Sequence, residues 1–228
     1  MVRQRASLMG MTPLERVEGA AAALKVFPLP SVVLFPGMML PLHIFEQRYR
    51  ELLKDCLQSD KVIALAQLEP GWEGQYADRP ALRPIGCAGI VVWHQPFPDG
   101  RYNIIVHGAV RVRIRQELPP RKLYREVDAE VIPDPVQVSP EEEQLRQAVL
   151  ELSGRLPQPF GANLLQSAAR TRGGNLADAV AAIVVSDVER RQQLLGELDV
   201  PRRLRGVLEE VGELIGRLGL VKPAGPAN

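Results

Sequence analysis

The chain is poor in the residue types that most often announce a chemistry. It has two cysteines and three histidines in 228 residues, and its 28 lysines and arginines nearly cancel its 27 aspartates and glutamates. Cys56 and Cys87 both sit in apolar surroundings, so buried free thiols in a reducing compartment are expected, not a disulfide framework. The net charge is spread evenly, at about +1 for residues 1–22, about +1 for 23–138 and about −1 for 139–228. No segment has the basic excess that phosphate binding leaves, which argues against nucleic acid as a partner. The preference for arginine over lysine reads as genomic base composition. No apolar run approaches the ~20 residues that cross a bilayer. Arg3 and Arg5 are not followed by the apolar stretch of a signal peptide. A cytoplasmic protein without membrane attachment is expected.

Catalytic signatures are also missing. There is no phosphate-binding G-x-x-x-x-G-K-[ST], no H-E-x-x-H, no C-x-x-C and no G-x-S-x-G. If Asp99-Gly100 centres a hairpin, His107 pairs near Ile90 and His94 lies roughly 13 Å further along at strand rise. The two then share no metal. Cys87 and His94 have opposite parity on one strand and should face opposite sides, which breaks a Cys–His nucleophile. Neither catalysis nor a cofactor nor a metal is expected.

What is present is a folding pattern. In residues 27–57, Val32 to Phe35 reads as a short strand and Pro36-Gly37 as a tight turn with positive φ at the glycine. Met38 to Leu42 reads as an edge strand, because Pro41 cannot donate to a ladder. A helix is expected from His43, with Phe45, Tyr49, Leu52, Leu53, Cys56 and Leu57 on one face. Lys61 to Gln67 is almost wholly apolar and suits a strand buried on both faces. Residues 68–84 form a long loop. Ile85 to Gln95 and Arg101 to Leu118 form a hairpin, in which Val110, Val112 and Ile114 alternate with Arg111, Arg113 and Arg115 as a basic, solvated outer face. Leu123 to Ile132 adds a strand.

Beyond PDPVQVSP the period turns helical. Ser139 caps a helix with Pro140 at its first position and Leu145, Val149, Leu152 and Leu156 as its stripe. Further helices run from about Gly161, from Asn175 as a cap, and from Ser186 with Glu189 as a capping box. The last starts at Asp199 and Pro201, with Leu204, Leu208, Val211, Ile215 and Leu218 as its stripe. The fold class is therefore α+β with segregated lobes. The parts are a flexible leader (1–22), where Thr12 and Glu15 can cap a short helix, a β-rich lobe (23–132), a Pro-rich linker (133–139), a helical lobe (140–222) and a disordered tail (223–228). Binding candidates are the aromatics near loop tips, Trp72, Tyr76, Trp93, Phe97 and Tyr102, with Met38 and Met39 as a soft apolar patch. Core packing is the competing reading for each.

The run VVLFPGMMLPLHIFEQRYRELL resembles the start of the amino-terminal substrate-recognition domain of Lon proteases, and its LHIFE-x-RYR form resembles stand-alone bacterial versions and the related domain of cereblon. The likeness continues through the hairpin, where Gly108 and Arg111 match a Gly-x-x-Arg step. In the helical lobe Leu176, Ala177, Asp178, Gln193, Asp199, Val200, Arg203 and Leu204 match, while Gly196 departs from the usual helix former. It implies a PUA-like pseudo-barrel with a helical bundle behind it. It also implies an ATP-independent module that binds unfolded or degron-bearing polypeptides, with a separate protease or chaperone as a possible partner. Neither the ATPase with its phosphate loop nor the Ser-Lys protease of full Lon is seen in the sequence, and cereblon's zinc-bearing half is missing. RNA binding, which PUA-like barrels also carry out, is the alternative.

Overall fold

Five strands of the first half close into a ring. β1 (Leu24–Pro28) lies parallel to β3 (Val62–Ala66), which runs antiparallel to β4 (Ile85–Pro96). β4 pairs with β5 (Tyr102–Glu117), β5 with β6 (Arg125–Ile132), and β6 returns to β1. A further strand, β2 (Met39–Ile44), pairs only with the first part of β5 and ends the sheet as an edge. The parallel β1–β3 step needs a crossover, and α2 (Gln47–Gln58) supplies it. The computed structural model describes residues 10–74 and 79–220 and divides the chain into two compact units, 1–133 and 134–228.

The barrel is filled by small and β-branched residues, among them Val26, Val62, Ala64, Ala88, Val112, Val127 and Ala129. Such side chains suit the narrow bore of a small barrel. β3 is buried along its whole length, as its unbroken apolar run requires. The leader expected to be flexible over 1–22 is, from Pro13 on, a helix, α1 (Pro13–Ala20). Thr12 and Glu15 close a capping box, with the Glu15 N–H donating to Thr12 Oγ1 at 3.2 Å and the Thr12 N–H to Glu15 Oε2 at 2.6 Å. Val17 is fully buried in the barrel cluster, and Leu14 and Ala20 pack beside it. The apolar spacing of three residues is what ties this helix down.

The Pro36-Gly37 turn forms as expected. Gly37 has φ 79°, and the Met38 N–H donates to the Phe35 carbonyl at 3.2 Å. The run before it corrects the reading: Val33, Leu34 and Phe35 are buried but form no strand. Gly108 explains the packing. A Cβ there would collide with the Phe35 carbonyl, so only glycine admits the crossing segment. α2 begins four residues later than expected, because β2 stays paired with β5 through Ile44, leaving Phe45 outside the helix and exposed. Tyr49, Leu52, Leu53 and Cys56 form its buried face, and the Tyr49 ring lies 4.1 Å from that of Phe27.

Arg111 also departs from the reading. It is buried, not solvated, in the row where it opposes Ile132 of β6 and the fully buried Cys87 of β4. Arg113 and Arg115, nearer the strand end, remain half-exposed and exposed and face Glu130 at 3.0 and 3.8 Å.

The second unit holds α3 (Pro140–Arg155), α4 (Phe160–Ala169), α5 (Gly173–Val184), α6 (Val188–Gly196) and α7 (Val200–Leu220). α7 packs on α3, α5 and α6. Its buried stripe is Leu204, Val207 and Val211, not the expected run through Leu208, Ile215 and Leu218. Caps differ in detail. The Ser139 side chain donates to Glu141 and makes no capping bond. Asn175 lies inside α5. Asp187, not Ser186, caps α6 by accepting from the Arg190 N–H at 2.7 Å. Asp199 caps α7, accepting from the Arg202 N–H at 2.8 Å. At the centre Arg203 and Asp178, both fully buried, face each other at 3.4 Å. Arg203 also pairs with Asp134 and donates to the Glu197 carbonyl at 2.7 Å.

Candidate functional site

Pairing across antiparallel strands puts directly opposed residues on one face. On the β2–β5–β4 sheet this gives a row Pro41–Ile105–Trp93, and next to it a row His43–Asn103–Gln95. Met39 opposes His107 at one end. Met39 is 59% exposed and Trp93 46%, and Pro41, His43 and Gln95 are exposed as well. The next residues along, Leu40–Val106–Val91 and Leu42–Ile104–His94, belong to the other side, with Val106, Val91 and Ile104 buried and His94 exposed at the β4 end. The sheet therefore has a packed side and an apolar side open to water.

Towards the hairpin tip His43 organises aromatic groups. Its ring stacks on Phe45 with centroids 6.1 Å apart and meets Phe97 edge-on at 6.0 Å, while Nδ1 lies 2.7 Å from Asn103 Oδ1. The tip itself is tight: the Phe97 N–H donates to the Arg101 carbonyl at 2.9 Å, and Gly100 sits at φ 82°. Among the paired residues of β2, β5 and β4 on this side none is a lysine, arginine or carboxylate, while at the tip the exposed Arg101 guanidinium lies 6.0 Å from the Phe97 ring and pairs with Asp99 at 2.7 Å. A register shift at Val91/Trp93 leaves Val92 out of the pairing, 51% exposed beside Trp93.

The expected binding residues divide. Met39, Trp93 and Phe97 come together on this side. Met38 is half-buried at the turn, its carbonyl accepting from the Gly108 N–H at 2.8 Å. Tyr102 pairs with Ile44 and Pro96, in a row whose Ile44 is buried, and so belongs to the opposite side of the sheet. Trp72 is half-buried in a short 3-10 turn (Trp72–Gly74) of the β3–β4 loop, outside these rows. Tyr76 lies outside the described residues. Pro41, His43, Phe45 and Ile105 were not singled out from sequence. Their signal is the register of β2 on β5, which only the paired structure supplies.

The reactive groups do not assemble. Among the described residues no three of His, Cys, Asp or Glu are placed to hold a metal ion. Both cysteines are buried, and burial pushes the Cys56 thiol up to about 12. No described helix is long and apolar enough to cross a membrane.

The fold is thus a small closed barrel with an edge-extended apolar sheet face, followed in the chain by a helical unit. The chain belongs to the ATP-dependent protease La (LON) substrate-binding domain family, whose sequence profile matches residues 23–212. It is 33% identical to the Lon protease of Roseiflexus castenholzii over 193 residues, which cover 81% of this chain and 23% of that protein. With the Lon protease of Anaeromyxobacter dehalogenans it shares 29% over 214 residues, 90% of this chain and 25% of the other. The chain thus spans about a quarter of the length of the curated Lon proteases it matches. The solved Lon N-terminal domain protein from Xanthomonas campestris superposes with a TM-score of 0.60 at 25% identity, covering 82% of this chain and 97% of that one. The N-terminal domain of the Mycobacterium avium complex Lon protease gives a TM-score of 0.66 at 16% identity, over 84% and 98%, a likeness of fold. The family likeness seen in the sequence and the α+β fold it implied both stand.

Proposed function

We propose that the chain is an ATP-independent polypeptide-binding module that takes unfolded or degron-bearing chains on the open side of the β2–β5–β4 sheet. It performs no cleavage or nucleotide hydrolysis there, and a separate protease or chaperone acts on what it holds. The observation that carries this reading is the row Pro41–Ile105–Trp93, flanked by Met39 and by the Phe45–His43–Phe97 group. Methionine and aromatic side chains bury much area and adapt to varied sequences, which suits a surface for many clients. The paired rows of that side carry no cationic side chain, and Arg101 at the tip is paired with Asp99, which supports peptide over nucleic acid, since phosphate recognition requires cations.

The test is a titration of the protein with a permanently unfolded polypeptide and with single-stranded RNA at two salt concentrations, followed by tryptophan fluorescence. Saturable binding of the polypeptide, with little dependence on salt and no response to RNA, supports the reading. RNA binding that weakens steeply with salt overturns it.

A further inference from the structure

We propose that a second site, a cleft between the start of α2 and the start of β6, binds a carboxylate carried on an apolar group. Two sources share this chemistry: the C-terminal residue of a polypeptide and a small apolar carboxylic acid. The inference stands apart from the sheet face and does not rest on it.

The cleft has a volume of about 620 Å³, within the roughly 300–1,000 Å³ of small-ligand sites. One part of its wall is apolar, made by Pro28, Leu68, Pro80 and the buried Tyr49 and Tyr124, with Leu123 exposed beside them. The other part is cationic. Arg48, Arg79, Lys122 and Arg125 line the same cleft, against one acidic lining residue, Glu46, which pairs with Arg48 at 2.8 Å. The first turn of α2, a helix of 12 residues, lines it too, and Glu46 at its N-cap makes no side-chain capping bond. The positive end of the helix dipole adds to the field that favours an anion.

The cations are held in place from behind. Arg125 donates to Glu117 through Nε at 3.1 Å and Nη2 at 2.6 Å, and to the Pro80 carbonyl at 2.7 Å. Arg79 pairs with the same Glu117. Lys122 and the Tyr124 hydroxyl both donate to Asp55, at 2.9 and 2.8 Å. An ammonium has three donors, and Asp55 takes one. A fixed cationic edge beside an apolar wall selects a ligand with both features. An inorganic anion makes no use of the wall, and a neutral apolar chain makes none of the cations.

The test is calorimetric titration of the full chain with N-acetyl-Ala-Ala-Phe as free acid, with the same peptide as C-terminal amide, and with 3-phenylpropionate. The free acid is expected to bind at least about tenfold more tightly than the amide. Lys122 is 43% exposed on its side chain, so Lys122→Gln should fold normally, and it should weaken the acid about fivefold while leaving the amide unchanged. Tighter binding of the peptide acid than of 3-phenylpropionate assigns the site to polypeptide C-termini, and the reverse order assigns it to small acids. The preference for acid over amide should be the same in Trp93→Ser, which alters only the separate sheet face, so failure here and failure of the polypeptide-binding face are read independently. Equal binding of acid and amide, no binding of either acid up to several millimolar, or indifference of acid binding to both Lys122→Gln and Arg79→Gln overturns the proposal.

Discussion

Replacing Arg203 by methionine keeps much of the side-chain volume and removes the charge at the centre of the helical unit. Arg203 and Asp178 are both fully buried, and the guanidinium also serves Asp134 and the Glu197 carbonyl. The variant takes from the buried Asp178 carboxylate the guanidinium that faces it, and breaking one side of such a pair costs about 3–5 kcal/mol. Against a domain stability of about 5–15 kcal/mol this is a large share. With a urea slope near 2 kcal/mol per molar, the midpoint should fall by about 1.5–2.5 M. The assay is urea unfolding followed by helical circular dichroism, to which the second unit contributes five of the seven described helices. Adding Asp178→Leu to Arg203→Met removes the second buried charge and should recover part of the loss, since apolar replacement of a whole buried pair is often close to neutral. A loss below about 1 kcal/mol in the single variant, or a double variant as unstable as the sum of the two singles, refutes this account of the pair.

Other predictions follow from the same structure. Gly108→Ala should lower stability by about 1–3 kcal/mol in thermal or urea unfolding, because the new Cβ meets the Phe35 carbonyl, which cannot move without disturbing the turn. Cys56 and Cys87 should be silent to a thiol reagent at pH 8 in the native protein and react together once it is unfolded, since both are buried and the Cys56 thiol is pushed up. For Glu117, burial pushes the carboxyl up, but bonds from Arg125 and Arg79 outweigh it and hold it below its usual value. Asp55 is likewise raised by burial and lowered further by Lys122 and Tyr124. A depressed carboxylate contributes its full stability above its unfolded value and loses it as pH falls through the folded one. Stability should therefore be level from pH 7 to about 5 and drop below about 4, as unfolding midpoints across that range would show.

Local signals carried far where local chemistry decides structure. The unbroken apolar β3, the Pro36-Gly37 turn with its positive φ, and the hairpin closing at Asp99-Gly100 were all legible, and His107 does pair with Ile90. The reading failed where a distant partner decides. Val33 to Phe35 is apolar because it is buried over Gly108, not because it belongs to a ladder. Arg111 has the parity of an outer residue but opposes the fully buried Cys87 of the neighbouring strand. α1 is only eight residues long and owes its order to the barrel that receives Val17. The candidate face shows the same limit. Met39, Trp93 and Phe97 stand out by residue type, whereas Pro41 and Ile105 join them only through the β2–β5–β4 register, and Tyr102 looks equivalent until its pairing with the buried Ile44 turns it to the other side.

The measurement that bears most directly on the central claim is the affinity of a permanently unfolded polypeptide for the wild-type chain and for a Met39→Ser, Trp93→Ser double variant. Anisotropy of a label on the polypeptide serves as the readout, so that the loss of Trp93 does not blind it. Both side chains are exposed, so the fold and its unfolding midpoint should be unchanged. The account predicts an affinity at least about tenfold weaker in the double variant, the scale expected when central apolar anchors are removed. An equal affinity in a variant of unchanged stability would place polypeptide binding elsewhere on the chain and contradict the account.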